Sequence, residues 1–139
     1  MQNIVVDSSV IVKWINRQNE QNIAESDNLL SNCKKGLVQL YTTELAKYEI
    51  GNVLWKKGLD SDQAKTSLST VYAIPIEFIK LGELEALQTI EIAISAKMTF
   101  YDASYVSLAE NIGAILVTDN PKHQSKYKNV KTISLANYK

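Results

Sequence analysis

The sequence is poor in the residue types on which several common kinds of site depend. It contains one cysteine, Cys33, and one histidine, His123, among 139 residues. A lone cysteine excludes an internal disulfide and fits a reducing compartment, and we expect Cys33 to be an unremarkable thiol. A Ser-His-Asp or Cys-His hydrolase would have to use His123, which we expect at the surface. A zinc site has the same difficulty, because zinc prefers histidine and cysteine ligands.

Long apolar runs are also missing, as is the composition of a flexible chain. No run approaches the roughly 20 residues of a membrane span, and the first residues lack the basic start and apolar stretch of an export signal. The chain has only two prolines and five glycines, and 45% of its residues are apolar, which argues against disorder. We therefore expect one domain over residues 1–139, in the cytoplasm and not in a membrane.

Neither sign of charge is in excess, since fifteen basic residues balance fifteen acidic ones. Net charge therefore does not indicate a nucleic-acid binder. The distribution is less even, because no acid follows Asp119 and several lysines do: Lys122, Lys126, Lys128 and Lys131. Two interpretations remain open, a solvated tail and an edge that contacts phosphates.

Short β-branched runs alternate with segments of helical periodicity along the whole chain. We predict strands over 3–7, 38–41, 73–78, 114–118 and 130–135, and helices over 8–15, 20–35, 43–57, 61–71, 80–97 and 102–112. Ser8 or Ser9 would cap the first helix, and Thr42 or Thr43 would open the third. Pro75 favours an edge position for its strand. The alternation predicts an α/β fold, a three-layer α/β/α sandwich with a mostly parallel central sheet.

Four acids stand where such a fold places ligands. Asp7 and Asp119 follow apolar strands, and ligands of an open parallel sheet bind outside the carboxyl ends of its strands. Asp102 stands at the start of a helix, where the helix dipole favours negative charge. Glu49 shares the apolar stripe of its helix with Leu45 and Val53. These acids meet only if the topology brings those ends together, and Glu49 has the alternative of reaching water from the margin of the stripe.

A cluster of these carboxylates requires compensation. Two like charges 4 Å apart repel by about 4 kcal/mol at an effective dielectric constant near 20. Such a cluster persists if some groups stay protonated or if a cation lies between them. Carboxylate oxygens with waters in the remaining positions suit Mg²⁺ or Mn²⁺. The sequence therefore favours a hard metal ion.

Four segments carry a resemblance to a known family. They are VVDSSVIVKWI (5–15), ELAKYEIGNVLWKKG (44–58), TFYDASYVSLAE (99–110) and ILVTDNPKH (115–123). In this order and spacing they resemble a PIN domain, and the whole is similar to the VapC-type toxin ribonucleases. Each segment alone is weakly specific, but together they cover essentially the full chain.

The resemblance implies a function and a set of site residues. It implies an acidic site that holds Mg²⁺ or Mn²⁺ and hydrolyses RNA, either single-stranded or structured, such as tRNA. Asp7, Glu49 and Asp102 match the first three acids of the family, while Ser9 and Thr118 match polar residues that line its site. The family usually shows T-x-D at the last strand end, which aligns Asn120 with the fourth acid. Asp119 would serve there only from a shifted register.

Roles and partners follow from the same resemblance. The metal would be held by a set drawn from Asp7, Glu49, Asp102, Asp119 and Asn120, with Glu49 positioning or deprotonating the attacking water. Lys13, Lys122 and Lys126 are candidates for holding the RNA backbone. The family implies a homodimer and a small antitoxin protein that occupies the site. Trp14 and Trp55 could anchor such contacts, although we expect both in the core.

Two other classes of function remain as alternatives. A catalytically decayed PIN-like binding module would explain Asn120, and it predicts no measurable binding of Mn²⁺. An aspartate-dependent phosphoryl-transfer enzyme or receiver-like domain would use Asp7. Such a phosphatase would need a second acid two residues later, where the chain has Ser9.

Overall fold

Five parallel strands form one sheet in the order β3-β2-β1-β4-β5. The structure, a computed structural model, describes all 139 residues. The strands are β1 (Gln2–Val6), β2 (Val38–Thr43), β3 (Ile76–Ile79), β4 (Ile115–Thr118) and β5 (Thr132–Ser134). Strand β1 lies at the centre, where Ile4, Val5 and Val6 are fully buried. Strands covered on both faces bury every side chain, which explains the continuous apolar run.

Six helices cover the two faces of the sheet. They are α1 (Ser8–Ile15), α2 (Ile23–Lys34), α3 (Leu45–Lys56), α4 (Ser61–Val71), α5 (Glu83–Ala96) and α6 (Phe100–Ile112). Helices α1 to α4 pack together, whereas α5 packs on α6, which contacts β1, β2 and β4. Right-handed crossovers explain this division, because the chain moves outward from β1 to β3 and then returns past β1 to β4. The predicted α/β/α sandwich is confirmed.

The edge position predicted from Pro75 is also confirmed, since β3 is an outer strand and begins at the next residue. Most predicted boundaries move by a few residues. The difference at β2 bears on the start of α3, because β2 continues through Thr42 and Thr43 instead of ending at Tyr41. Both threonines pair with β3, and the Thr42 hydroxyl donates a hydrogen bond to the Val6 carbonyl, 2.7 Å away. Neither threonine therefore opens α3.

Two helix starts differ from the prediction in a way that matters for the site. Asp7, not Ser8 or Ser9, caps α1, because its side chain accepts a hydrogen bond from the Ser9 N–H. Helix α6 begins at Phe100, and Thr99 caps it by accepting from the Asp102 N–H. Asp102 therefore lies in the first turn of α6 and not at its first residue.

The two tryptophans have different environments. Trp14 is half-buried against the core, and its indole N–H donates to the Ser26 carbonyl at 2.8 Å. Trp55 is 76% exposed on α3, so the prediction of a core position is wrong for Trp55. The apolar stripe of α3 instead buries Ala46, Ile50 and Leu54. None of the six helices has both the length and the apolar composition that crossing a bilayer requires.

Candidate active site

The carboxyl ends of β1 and β4 lie side by side and place Asp7 next to Thr118. Asp7 follows β1 directly and is only 7% exposed. Its Oδ1 accepts hydrogen bonds from the Ser9 N–H at 3.1 Å and from the Ser9 hydroxyl at 2.5 Å. Its Oδ2 accepts one from the Thr118 hydroxyl at 2.6 Å. Two strands and the first turn of α1 thus hold this carboxylate in a fixed orientation.

The loop after β4 supports Asp7 through backbone groups. The Asp119 N–H donates to the Ser9 hydroxyl at 3.0 Å, and the Asn120 N–H donates to the Thr118 hydroxyl at 3.2 Å. Each hydroxyl therefore accepts a hydrogen bond from a backbone N–H and donates one to the Asp7 carboxylate. The residues after β4 contribute to the site through their amides, whatever their side chains do.

Helix α3 brings Glu49 to the same edge of the sheet. Its Oε1 accepts a hydrogen bond from the Tyr105 hydroxyl at 2.5 Å and another from the Ser8 hydroxyl at 3.3 Å. Tyr105 is almost completely buried in α6. Glu49 is half-buried, and the hydrogen bonds to Oε1 hold it between α1 and α6 while Oε2 has no partner in the protein.

Helix α6 supplies the third acid. Asp102 lies in its first turn, where the helix dipole stabilises a negative charge. Its hydrogen bonds within the protein are made by backbone atoms, including a contact of its carbonyl with the Gln124 amide at 3.4 Å. The carboxylate itself has no ion-pair or hydrogen-bond partner in the protein, so both oxygens are available to a ligand.

The three acids are close enough to influence one another. Burial raises the pKa of Asp7, the hydrogen bonds from Ser9 and Thr118 oppose this effect, and the charge of Asp102 adds to it. Burial likewise raises the pKa of Glu49, against the Tyr105 hydrogen bond and with the charges of Asp7 and Asp102. The pKa of Tyr105 is raised strongly by its burial and by Glu49. Tyr105 therefore stays protonated and remains a donor to Glu49.

The three acids do not form a complete metal-binding site. No three His, Cys, Asp or Glu side chains converge closely enough to make a complete set of metal ligands. Asp7 nevertheless keeps one unused lone pair on Oδ2, since a carboxylate accepts about four hydrogen bonds and Asp7 accepts three. Together with the unpartnered Asp102 carboxylate and the Glu49 Oε2, this is an oxygen donor set that suits a hard cation.

The side chain of Asp119 does not join this cluster. Its Oδ2 pairs with the Lys13 ammonium at 2.9 Å, and its Oδ1 accepts from the Asn22 amide at 2.9 Å. Asn120 is exposed. The side chain of Asp119 is therefore occupied by Lys13 and Asn22 and not by the cluster. Asn120 stays the residue that the T-x-D pattern aligns with the fourth acid.

Lys13 lies inside the protein and not on an RNA-facing surface. It is 1% exposed, and its ammonium also pairs with Glu20 at 3.0 Å. Glu20 pairs in turn with Lys57 at 2.8 Å. Burial lowers the pKa of Lys13, but the hydrogen bonds that its ammonium donates to Asp119 and Glu20, together with their charges, outweigh that effect and leave the pKa above its ordinary value. The expected RNA contact at Lys13 is therefore replaced by a structural role.

The other two candidate RNA contacts are exposed. Lys122 and Lys126 lie in the segment that follows β4, and the Lys126 ammonium donates to the Lys97 carbonyl at 3.0 Å. This segment also contains the buried Gln124, which contacts Asp102. Gln124 thus joins this lysine-bearing segment to the first turn of α6, which carries Asp102.

Sequence reasoning missed two side chains that contact Glu49. Tyr105 follows Asp102 by three residues, a spacing that places both on one face of a helix. Ser8 is adjacent to Asp7, but nothing in the sequence distinguishes its role from that of Ser9. The Asp102–Tyr105 spacing was therefore a usable signal for Tyr105, whereas Ser8 had none.

Comparison with known proteins identifies the family of this chain. A family model described as PIN domain matches residues 4–129. Ribonuclease VapC3 of Pyrobaculum aerophilum is 31% identical over 124 residues, which are 83% of this chain and 87% of that protein. Exonuclease VapC9 of the same organism is 33% identical over 94 residues, 65% of this chain and 68% of that protein.

Solved structures show the same fold. The crystal structure of PAE2754 from Pyrobaculum aerophilum superimposes with a TM-score of 0.69 at 25% identity, covering 94% of this chain and 83% of that one. VapBC2 from Rickettsia felis, bound to a DNA fragment from its promoter, gives a TM-score of 0.74 at 17% identity, covering 96% and 98% of the two chains. From its sequence, its sheet and its three gathered acids, this chain belongs to the PIN-domain family.

Proposed function

We propose that this protein is a metal-dependent endoribonuclease and the toxin of a toxin–antitoxin pair. The observation that carries the proposal is the gathering of Asp7, Glu49 and Asp102, from three separate elements, at one edge of the sheet of a PIN domain. Structural proteins rarely keep three mutually repelling carboxylates, two of them desolvated, without a cation to use them. The similarity to a VapC ribonuclease supports RNA as the substrate.

The cation is Mg²⁺ or Mn²⁺. Asp7, through its free lone pair, and Asp102, through its unpartnered carboxylate, would hold it directly or through water. The Glu49 Oε2 and the exposed Asn120 amide would supply further oxygen ligands. When bound, such an ion polarises the phosphodiester and lowers the pKa of a coordinated water. It also offsets the repulsion between an acidic pocket and a phosphate.

The other residues of the site orient the carboxylates and bind the RNA. Ser9 and Thr118 fix the Asp7 carboxylate, so that it does not reorganise during the reaction. Tyr105 fixes one oxygen of Glu49 and leaves the other free to position or deprotonate the attacking water. Because the pKa of Glu49 is raised, it is a stronger base than an ordinary glutamate. Lys122 and Lys126 hold the RNA backbone beside the cluster.

The partners of the relatives support the proposed biological role. VapBC from Salmonella typhimurium, bound to DNA, superimposes with a TM-score of 0.69 at 16% identity, covering 97% of this chain and 99% of that one. We propose that this chain likewise pairs with a small antitoxin protein and that it forms a homodimer.

The test is cleavage of a circular single-stranded RNA labelled internally, in Mn²⁺, in Mg²⁺ and in EDTA. A circle has no ends, so cleavage requires an endonuclease. We expect cleavage with either metal and none with EDTA or in Asp102→Asn. Asp62→Asn, an exposed acid on α4, is the matched control and should cleave normally. Cleavage of linear RNA only would point to an exonuclease, as VapC9 is named.

One observation favours a second function. Since no complete set of metal ligands is preformed and the Asp119 side chain is paired with Lys13, a decayed PIN-like binding module remains the alternative. It predicts that calorimetric titration with Mn²⁺ gives no heat of binding above that of Asp102→Asn. A clear difference between the two proteins would exclude it.

A further inference from the structure

We infer that a pocket beside Glu49 binds a nucleobase of single-stranded RNA, next to the phosphodiester that is cut. This inference rests on the proposed nuclease function and adds a substrate-recognition site to it. The pocket has a volume of about 370 Å³. Its lining consists of Tyr48, Glu49, Asn52, Val53, Lys56 and Tyr101.

Two exposed tyrosines flank the pocket. Tyr48 is 70% exposed and Tyr101 is 44% exposed, and neither hydroxyl has a hydrogen-bond partner in the protein. Each precedes a proposed catalytic acid, Tyr48 before Glu49 on α3 and Tyr101 before Asp102 on α6. Both rings therefore line the pocket beside the acidic cluster and are accessible from solvent. Proteins hold unstacked bases by stacking them on such aromatic faces.

The polar lining matches the rest of a nucleotide. Asn52 and Lys56 follow Tyr48 on α3 by four and eight residues, so the three lie along one side of the helix. The Asn52 amide has donors and an acceptor, as the edge of a base requires. Lys56 is exposed and forms no ion pair, and it supplies a cation for a phosphate on the side of the pocket away from the acids.

Continuity with the acidic cluster determines which ligand fits. Glu49 belongs to both the cluster and the pocket, so a phosphodiester held at the acids carries its adjoining base to the tyrosines. A peptide anchor would require an apolar pocket, but Val53 is the only aliphatic residue in this lining. Two aromatic rings, an amide and a lysine instead match the face, the edge and the phosphate of a nucleotide.

The test measures binding without cleavage. Fluorescence anisotropy is recorded for labelled ten-nucleotide homopolymers of each of the four bases, with the Asp102→Asn protein in Mn²⁺. Adding Tyr48→Ala or Tyr101→Ala should weaken binding of at least one homopolymer by about 5- to 100-fold, the range for loss of one stacked base. Tyr48→Phe and Tyr101→Phe keep the ring and should bind within about twofold of the parent, as should Tyr72→Ala, an exposed tyrosine outside the pocket.

A second measurement tests the lysine, and the outcomes are distinct. Lys56→Met should reduce the slope of log affinity against log salt concentration by about one, because one phosphate contact and its released counterion are lost. If the Asp102→Asn protein binds the homopolymers with the same affinity with and without the two alanine substitutions, the proposal is overturned. The pocket would then bind another partner, such as a peptide. Failure of the parent to bind any homopolymer would overturn it as well. Neither result bears on the nuclease, which the cleavage of circular RNA tests separately.

Discussion

At Asp7, burial and hydrogen bonding act on the carboxylate in opposite directions. Three hydrogen bonds from Ser9 and Thr118 stabilise the charged form, yet burial and the charge of Asp102 dominate and leave the pKa raised. The folded protein therefore holds a charge at neutral pH that costs free energy. A bound cation removes that cost, so metal binding and stability are linked at this residue.

Asp7→Asn should stabilise the protein when no metal is present. A folded-state pKa above the unfolded value means that the native state binds more protons, so the free energy of unfolding falls as pH rises through the raised pKa. We expect Asp7→Asn to be more stable than the wild-type protein at pH 7, because the amide carries no charge that burial penalises. The gain should vanish below about pH 3, where Asp7 is protonated in both states. Urea denaturation at both pH values in EDTA measures this difference.

Mn²⁺ should reverse the order of stability of the wild-type and Asp7→Asn proteins. It should raise the melting temperature of the wild-type protein, because the ion binds only the folded state, and should leave Asp7→Asn nearly unchanged. Asp62→Asn is the control and should respond as the wild type does. Equal responses of the wild-type and Asp7→Asn proteins would show that Asp7 is not a metal ligand.

Tyr105→Phe should shift the pH dependence of cleavage. The Tyr105 hydroxyl lowers the pKa of Glu49 by donating to it, so its removal raises that pKa further. The acidic limb of the profile of kcat/KM against pH should move to higher pH, with a larger loss of rate at pH 6 than at pH 8. Tyr127→Phe removes a comparable hydroxyl from Glu110 and should leave the profile in place. An unshifted profile in Tyr105→Phe would remove Glu49 from the base role.

Lys13→Met should destabilise the protein by about 3 kcal/mol, the usual cost of leaving a buried ion-pair partner uncompensated. Asp119 loses its ammonium and Glu20 keeps only Lys57. Chemical denaturation measures the loss, and Lys122→Met, an exposed lysine, should change stability by less than about 0.5 kcal/mol. The double variant Lys13→Met with Asp119→Asn should recover part of the loss. No recovery would indicate that the pair is not coupled.

At the residue scale the sequence predicts single acids better than their partners. Asp7 and Asp102 stand beside recognisable strand and helix boundaries, and the structure brings both together with Glu49. Asp119 differs because the same strand end presents its backbone to the cluster and its side chain to Lys13. Lys13 lies on the buried side of α1, and only the tertiary position of Glu20 and Asp119 makes that burial possible.

Among the elements, α4 offers a test of local stability away from the cluster. Asp60 caps this helix by accepting from the Gln63 N–H at 2.8 Å, while the Gln63 side chain accepts from the Asp60 N–H at 3.3 Å. Asp60→Ala should lower the free energy of unfolding by about 1 kcal/mol and leave the cleavage rate unchanged at 25 °C. Ser61→Ala, at the first residue of α4, is the control for urea denaturation and should have little effect. A slower rate in Asp60→Ala would show that α4 affects the site.

Element types were predictable where local chemistry and burial agree. The apolar run of β1 is such a case, and this strand was predicted to within one residue at each end. Thr42 and Thr43 show the opposite, because threonine suits a helix cap as well as a strand. Their pairing with β3 decides between the two. Trp55 was misplaced for a similar reason, since periodicity gives the buried face of α3 only approximately.

For the whole molecule, the surface of α5 bears on the proposed homodimer. Leu84, Leu87, Ile90 and Ile94 are exposed on this helix while Thr89, Ile92 and Ala93 are buried against the rest of the protein. An exposed row of large apolar residues is typical of an interface. In a two-fold dimer the same row meets its own copy.

Replacing both Leu87 and Ile94 by Glu should therefore convert the dimer into a monomer at micromolar concentration. Buried glutamates that face their own copies repel and lack partners. Sedimentation velocity measures the change, and Leu37→Glu, at an exposed leucine before β2, should remain dimeric. A double variant that is still a dimer would place the interface elsewhere.

The overall architecture followed from the sequence because strand and helix patterns alternate without a break. The sheet order did not, since pairing of β1 with β4 joins residues more than a hundred positions apart. The right-handedness of the crossovers and the two layers of helices restrict the number of possible strand orders. Only the structure, however, shows that Thr118 reaches Asp7.

The separation of Asp7 from Thr118 along the chain also sets the time at which the site is completed during synthesis. A ribosome adds residues in order, so Asp7, Glu49 and Asp102 are all made before β4 exists. Until β4 has emerged and paired with β1, no hydroxyl holds the Asp7 Oδ2 and no loop amides hold Ser9 and Thr118. The growing chain of this nuclease therefore cannot assemble the centre that cuts RNA until β4 has been synthesised.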